Sequence, residues 1–328
     1  DLVQRKVDMI PVTLPAGLDA SVQGFGIRAA TGPSYLGTVL MFNTRTAPFD
    51  RPAARQAVAE ALDLGRIADA VGGSPVVADH GYIHPASTWA SQTVLHRFDE
   101  TAATAGLATL GAGPLIVLAP DNEPVKIEAA RQVALALGRA GQPASVRTVS
   151  TAQLDAAVGA SGSAPAFQMA IWDAPALVSY DPDRLETVLS SSSPFDYPGY
   201  VSPAFDRLAG LITAAPDDAT RHSLVSQALA LLADDAPVVP LFFEQGTFEY
   251  RPAIYDRWVF VRGEGILDKL SFVTPAVAGA TPAAGAASPD VVPPSGEGPS
   301  PLLIASGVLI AIALAAGAVQ TIGARRRP

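Results

Sequence analysis

The alternation of apolar and polar positions over residues 1–273 predicts a mixed α/β domain. Helical segments alternate with the predicted strands, and the helix over 218–233 shows the period best, with apolar residues at Leu224, Val225, Ala228, Leu229 and Leu232. Because the order over 114–172 is β-α-β-α-β, we predict a parallel sheet covered by helices. Six apolar runs have strand character: 7–14, 35–43, 114–119, 144–149, 167–172 and 238–243.

Capping residues mark where the predicted helices begin. Asp50 precedes a helix with Pro52 in its first turn, Asp99 precedes 100–110, Asn122 precedes 123–138 and Ser202 precedes 203–212. Asp234 and Asp235 follow the last long helix at its negative end, where carboxylates are unfavourable and where the sequence offers no explanation for them.

The end of the chain differs from the rest. Residues 274–301 hold seven prolines and no aromatic or basic residue, which predicts an extended stalk or a flexible linker. Residues 302–323 carry no charge and, at about 1.5 Å per residue, would cross a hydrocarbon core as a helix. Three arginines follow, so we expect 324–328 in the cytoplasm and the preceding domain outside the cell.

Composition excludes several classes of function. The net charge is −9, which argues against a nucleic-acid partner, and no cysteine is present. No nucleophile motif, phosphate-binding loop or dinucleotide motif is complete, so we predict neither an enzyme nor a cofactor. Asp79, His80 and His84 form a possible metal-ligand cluster, but Gly81 and Pro85 favour a solvent-facing loop, and no metal site is predicted.

An aromatic-rich stretch follows the predicted strand that ends at Trp172. Ligands of open α/β sheets bind beyond the carboxyl ends of strands, and aromatic side chains with a few carboxylates would suit a flexible peptide. The alternative is an irregular loop whose aromatic residues fill the local core. The candidate ligand-binding residues are Trp172, Asp173, Tyr180, Asp181, Phe195, Tyr197 and Tyr200.

Several segments, in order, resemble the C-terminal half of the family 5 extracellular solute-binding proteins, the oligopeptide-, dipeptide- and nickel-binding components of ABC importers. The similar segments cover about residues 1–270 and end with Ser202-Pro-Ala-Phe-Asp206 and Pro240-Leu241. The most similar are Tyr35–Asn43 with Pro48-Phe-Asp50, Ala54-Arg55-Gln-Ala57, Leu62-Asp63, His84-Pro85, Phe98-Asp99 and Trp172 with Asp181-Pro182.

The resemblance implies an α/β, two-lobed, periplasmic-binding-protein-like clamp (type II, cluster C-like) whose N-terminal part is missing. Residues 1–43 and 241–273 would belong to lobe 1 and 44–240 to lobe 2, followed by the stalk at 274–301, the transmembrane helix at 302–323 and the cytoplasmic tail. Because the chain begins at Asp1 without a signal peptide, we expect a fragment of a longer exported protein. We also expect residues 1–273 to be unstable alone.

The implied function is capture of oligopeptides outside the cell and their delivery to ABC permease subunits, with ATP hydrolysed elsewhere. Peptides in this family pair through their main chain. The family's amine-binding aspartate lies three residues after the tryptophan, a position held here by Pro175, so Asp173 is our candidate for that role. A non-peptide solute such as a nickel chelate or a sugar, a peptide-sensing signalling ectodomain, and a surface peptidase remain alternatives.

Overall fold

One mixed sheet organises the part of the chain that the computed structural model describes, which is residues 1–11, 21–173, 182–261 and 265–273. Within those residues seven strands pair in the order β1-β7-β2-β6-β4-β5, with β3 on β7. The strands are β1 Met9–Pro11, β2 Arg28–Phe42, β3 Val76–Val77, β4 Leu115–Pro120, β5 Ala144–Val149, β6 Met169–Asp173 and β7 Val238–Tyr250.

The parallel unit predicted over 114–172 is confirmed. Strand β4 pairs in parallel with β5, from Leu115↔Ala144 to Pro120↔Val149, and with β6 at Val117↔Met169. The rest of the sheet is antiparallel, because β2 pairs with both β6 and β7 in opposite directions. The sheet is therefore mixed, and its carboxyl edge is formed by the ends of β4, β5 and β6.

Strands β2 and β7 are much longer than predicted. They have 15 and 13 residues, and their pairing shifts register between Pro33 and Gly37 and again between Thr38 and Val39. Glycine and proline in this segment look like turn signals, but here they accommodate irregular pairing within one continuous strand. Gly32 also has a packing reason, since a Cβ there would collide with the Phe260 ring.

Helices cover both faces of the sheet. α1–α4 lie on one face, with Val58, Leu62 and Val133 in their core, and α5–α8 lie on the other, with Leu154, Phe205 and Leu229 in theirs. Their bounds are α1 Pro52–Glu60, α2 Leu64–Val71, α3 Glu100–Ala108, α4 Pro124–Arg139, α5 Thr151–Val158, α6 Asp183–Leu189, α7 Pro203–Thr213, α8 Asp218–Asp235 and α9 Leu270–Val273.

Two of the four predicted caps are confirmed. Asp99 accepts hydrogen bonds from the amides of Thr101 and Ala102, and Ser202 accepts one from Phe205. The caps predicted at Asp50 and Asn122 are wrong by one residue, because Arg51 and Glu123 hold those positions without a side-chain bond. A proline follows each of them, and its missing N–H leaves one donor fewer to satisfy.

A cluster of partly exposed aromatic residues lies at the far ends of β2 and β7. There Trp258 contacts the rings of Tyr250, Tyr255 and Phe272 with centroid separations of 6.0, 4.7 and 5.9 Å. All the described residues belong to one compact unit. The division into lobe 1 and lobe 2 stays a prediction.

The predicted stalk at 274–301 and the predicted membrane helix at 302–323 lie outside the described residues. Among the residues that are described, no helix has the length and apolar character needed to cross a membrane.

Candidate functional site

A cleft of about 730 Å³ opens at the carboxyl edge of the sheet. Its position agrees with the rule that open α/β sheets bind ligands beyond the carboxyl ends of their strands. Pro120 ends β4 there, and Trp172 and Asp173 end β6. The described lining residues are Val39, Met41, Tyr82, Pro120, Glu123, Lys126, Thr151, Leu154, Asp155, Ile171, Trp172, Asp173, Thr187, Val188, Leu189, Phe195, Tyr197, Pro198 and Val238.

Three predicted aromatic residues form one wall of this cleft. The Trp172 and Tyr197 rings meet edge to face, with centroids 5.7 Å apart. Phe195 lies beside them with 49% of its surface exposed. Burial raises the pKa of the Tyr197 hydroxyl, so this wall carries no charge at neutral pH. It offers broad ring surfaces of the kind that accept varied side chains.

The loop that presents Phe195 and Tyr197 is fixed by hydrogen bonds to its main chain. Arg45 donates from its two terminal nitrogens to the carbonyls of Tyr197 at 2.8 Å and Asp196 at 3.0 Å. Asp196 turns inward and accepts from the amides of Gly199 and Tyr200. Burial raises the pKa of Asp196 to about 6. The aromatic wall is therefore preorganised rather than loose.

The cleft also contains a charged cluster built around Lys126. Its ammonium lies 2.5 Å from the Glu123 carboxylate and 2.7 Å from the Asp173 carboxylate. Burial lowers the pKa of Lys126, but the charge of Asp173 and the hydrogen bonds that the ammonium donates to both carboxylates outweigh it, so the pKa lies above its usual value. Lys126 is therefore charged at every physiological pH.

Glu244 on β7 is a third carboxylate that interacts electrostatically with Lys126, Asp173 and Glu123. Thr38 on β2 donates a hydrogen bond of 2.8 Å to its carboxylate. Burial raises the pKa of Glu244, as do the negative charges of Asp173 and Glu123. The cluster thus carries excess negative charge even with Lys126 in place.

Tyr200 does not line the cleft with the other predicted residues. It is 3% exposed, and its hydroxyl donates to the Asp235 carboxylate at 2.5 Å. Its ring packs on Phe205 in the core beneath α7. Tyr180 and Asp181 lie outside the described residues.

The sequence predicts that the loop at 79–84 faces solvent and holds no metal. In the structure this loop is only partly exposed to solvent. The His80 ring bonds to the Ser91 carbonyl at 2.8 Å, whereas His84 is 4% exposed and packs on Phe243 with centroids 4.9 Å apart. Burial lowers the pKa of His84 to about 4, so its ring is neutral. The described residues include no group of three side chains able to hold a metal ion.

Sequence reasoning missed Lys126 and Glu123. One signal was available, since both residues lie just after a predicted strand, where the first turn of a following helix meets the carboxyl edge of the sheet. Glu123 is half-exposed, and the lysine side chain is only 7% exposed. Burial is rare for a lysine and marks Lys126 as a candidate site residue, but burial is visible only in the structure.

Solved structures share this fold. The ABC transporter substrate-binding protein CtaP of Listeria monocytogenes aligns with a TM-score of 0.68 and 17% identity over 79% of this chain and 53% of its own. The oligopeptide-binding protein AppA of Bacillus subtilis, solved with a nonapeptide, aligns with 0.65 and 19% over 76% and 53%. NikA of Brucella suis, solved with Fe(III)-EDTA, aligns with 0.65 and 19% over 80% and 57%.

These alignments establish a periplasmic-binding-protein-like fold, and the chain spans about half the length of the structures it matches. No curated protein matches the sequence. The family model described as "Bacterial extracellular solute-binding proteins, family 5 Middle" matches residues 2–195, more than half of the chain. The chain therefore belongs to the family 5 bacterial extracellular solute-binding proteins.

Proposed function

We propose that this protein is the membrane-tethered, extracellular substrate-binding protein of an ABC importer and that it captures oligopeptides. The observation that carries the proposal is the cleft, which joins an aromatic wall to a charged side at the carboxyl edge of the sheet. Ring surfaces accept side chains of many kinds, and main-chain pairing can supply affinity without selecting a sequence. Closure of two lobes would bury the ligand and present it to the permease.

The charge of the cleft favours a neutral or cationic ligand over an anionic chelate. Its described lining residues include three carboxylates, on Glu123, Asp155 and Asp173, and one ammonium, on Lys126. An anionic ligand would meet net repulsion in a partly desolvated cleft, where charges interact more strongly than in water. This supports a peptide rather than a chelate such as the Fe(III)-EDTA seen in NikA.

No catalytic role is proposed. Lys126 is paired with Glu123 and Asp173, and none of the described lining residues forms a nucleophile–base pair. The tether would be the uncharged run at 302–323, which the proline-rich segment 274–301 would separate from the binding domain. Extraction from membranes by detergent but not by high salt or carbonate is the expected result for that anchor.

The direct test identifies what the protein carries. We would purify the full-length protein gently from its native host, denature it and analyse released molecules by mass spectrometry. A mixture of short peptides supports the proposal. A single metal chelate or sugar would refute peptide capture while leaving the clamp intact.

A pair of matched variants then tests the cleft itself. Phe195 and Phe98 are 49% and 50% exposed, but only Phe195 lines the cleft. Phe195→Ala should weaken binding of the recovered ligand about threefold to tenfold, as expected for one lost stacking contact. Phe98→Ala should leave binding unchanged. Equal effects of the two substitutions would contradict this cleft as the binding site.

A further inference from the structure

The ammonium of Lys126 occupies a position in which an amine of a ligand would be well bound. Two carboxylates lie within 2.5 and 2.7 Å of it, and each is about two-fifths exposed toward the cleft. Hydrogen bonds between an ammonium and carboxylates are among the strongest in proteins. The rest of the lysine side chain is buried in α4, so its position is fixed by the helix rather than by solvent.

The cation and its two partners come from separate elements. Glu123 is the N-cap of α4, Lys126 lies in the first turn of that helix, and Asp173 ends β6. In the register of the sheet, Asp173 lies opposite Thr38, whose hydroxyl binds Glu244. The pairing therefore joins the start of α4 to the end of β6, and the carboxylate of Asp173 is already engaged before any ligand arrives.

We propose that Lys126 is a specificity-determining residue whose ammonium takes the place of the amino group of a ligand. The cleft therefore does not select ligands for a free amino group at this position. The inference deepens the proposed function and rests on it for the class of ligand. It reverses the expectation that Asp173 anchors an amino terminus, since a free amine would have to displace a tethered ammonium that is bonded to both carboxylates.

Removing the lysine should create the site that it now fills. Lys126→Met keeps most of the buried stem but leaves Glu123 and Asp173 without their shared cation. The pKa of Glu244 is already raised by burial and by these two charges, so its carboxylate would also be stabilised by a cation at this position. An external ammonium would then be attracted to the vacant position. Lys126→Arg retains the charge and is the matched control.

The first measurement compares amines directly. The full-length wild type, Lys126→Met and Lys126→Arg proteins are each incubated with a library of tetrapeptides, half with a free amino terminus and half N-acetylated. The bound fraction is quantified by mass spectrometry. We expect wild type and Lys126→Arg to bind the two halves within about threefold, and Lys126→Met to favour free amines at least about tenfold.

The second measurement does not depend on peptides. Lys126→Ala removes the three stem carbons beyond Cβ together with the ammonium, and n-propylammonium has the matching length to replace them. We expect n-propylammonium chloride to raise the Tm of Lys126→Ala, with an effect that saturates and exceeds that of sodium chloride at the same concentration, and to have no such effect on wild type. If the alanine variant does not fold, Lys126→Met replaces it in this experiment, because it retains the buried stem and leaves only the position of the ammonium empty. Its probe is methylammonium.

The outcomes separate the two proposals. Wild type favouring free amines about tenfold or more would overturn the role of Lys126 and leave peptide capture standing. An unchanged preference in Lys126→Met with no stabilisation by alkylammonium ions would overturn it as well. Stabilisation of the lysine variants by alkylammonium ions, with no peptide bound by any protein, would support the role of Lys126 and refute peptide capture.

Discussion

Replacement of Arg55 by methionine tests how α1 is joined to the end of α8 and to the loop before α1. Arg55 is 3% exposed and extends from α1 toward the end of α8. Its Nε donates to the carbonyl of Asp235 at 2.8 Å, and one terminal nitrogen donates to the carbonyl of Phe49 at 2.7 Å. Burial lowers the pKa of Arg55, and Asp235 opposes that shift, so the guanidinium stays charged.

The magnitude follows from those two bonds. A hydrogen bond from a charged donor contributes about 1.5–3 kcal/mol, and each buried carbonyl left without a partner costs a similar amount. Methionine keeps the apolar packing of the arginine stem, and the lost desolvation cost of the guanidinium offsets part of the penalty. We therefore expect the free energy of unfolding to fall by about 3 kcal/mol. For a domain of this size the Tm should fall by about 6–12 °C.

The assay is urea unfolding followed by circular dichroism on the full-length protein, with thermal unfolding alongside. Arg66→Met is the matched control, because Arg66 is 60% exposed on α2 and reaches Asp63 only at 3.8 Å. The control should cost less than about 0.5 kcal/mol. An Arg55→Met protein within about 1 kcal/mol of wild type would refute the reasoning, because the two carbonyls would then have found other partners.

Three further changes test separate parts of the structure. Tyr82→Phe removes a buried hydroxyl that donates to the Val238 carbonyl at 2.7 Å and accepts from its amide, so urea unfolding should show a loss of about 1–3 kcal/mol. The pKa of His84 is about 4 when folded and 6.5 when unfolded, so the unfolded state binds more protons between those pH values. Its stabilising contribution is complete above pH 6.5 and is lost as the pH falls toward 4. The free energy of unfolding of wild type minus that of His84→Gln should therefore fall by up to about 3 kcal/mol over this range, and a difference independent of pH would contradict this. Arg45→Met frees the main chain of Tyr197 and should weaken ligand binding measured by calorimetry, about threefold or more, with little change in Tm; unchanged binding would mean that the loop is fixed without it.

Local patterns in the sequence predicted much of the fold. The β-α-β-α-β unit over 114–172 and the caps at Asp99 and Ser202 were found because periodicity and capping act over a few residues. The full lengths of β2 and β7 were not found. Their pairing joins residues 197 to 222 positions apart, and glycine and proline within them act as local turn signals that tertiary pairing overrides.

The candidate site was predicted in part for the same reason. Trp172 and Asp173 follow from the end of a recognisable strand, but Lys126 matters only because α4 places it beside Asp173, 47 positions away. Tyr200 looked like part of the aromatic wall, yet its hydroxyl binds Asp235 in the core. That bond, with Arg55 on the Asp235 carbonyl, also explains a carboxylate at the negative end of α8: its charge is balanced by a buried cation.

The two long strands connect the cleft to the aromatic cluster around Trp258. Within the described residues, the chain passes from the side of that cluster into the rest of the sheet along β2 and returns along β7, so these strands are the two crossings. The charged cluster lies beside the middle of these strands, where Thr38 and Glu244 are bonded to each other and Asp173 is the register partner of Thr38. Hinges absorb motion at a few positions in such connections, and the register of β2 is already irregular between Pro33 and Gly37. If the proposed clamp closes on a ligand at these positions, it would therefore bend next to the side chains that set the charge of its cleft.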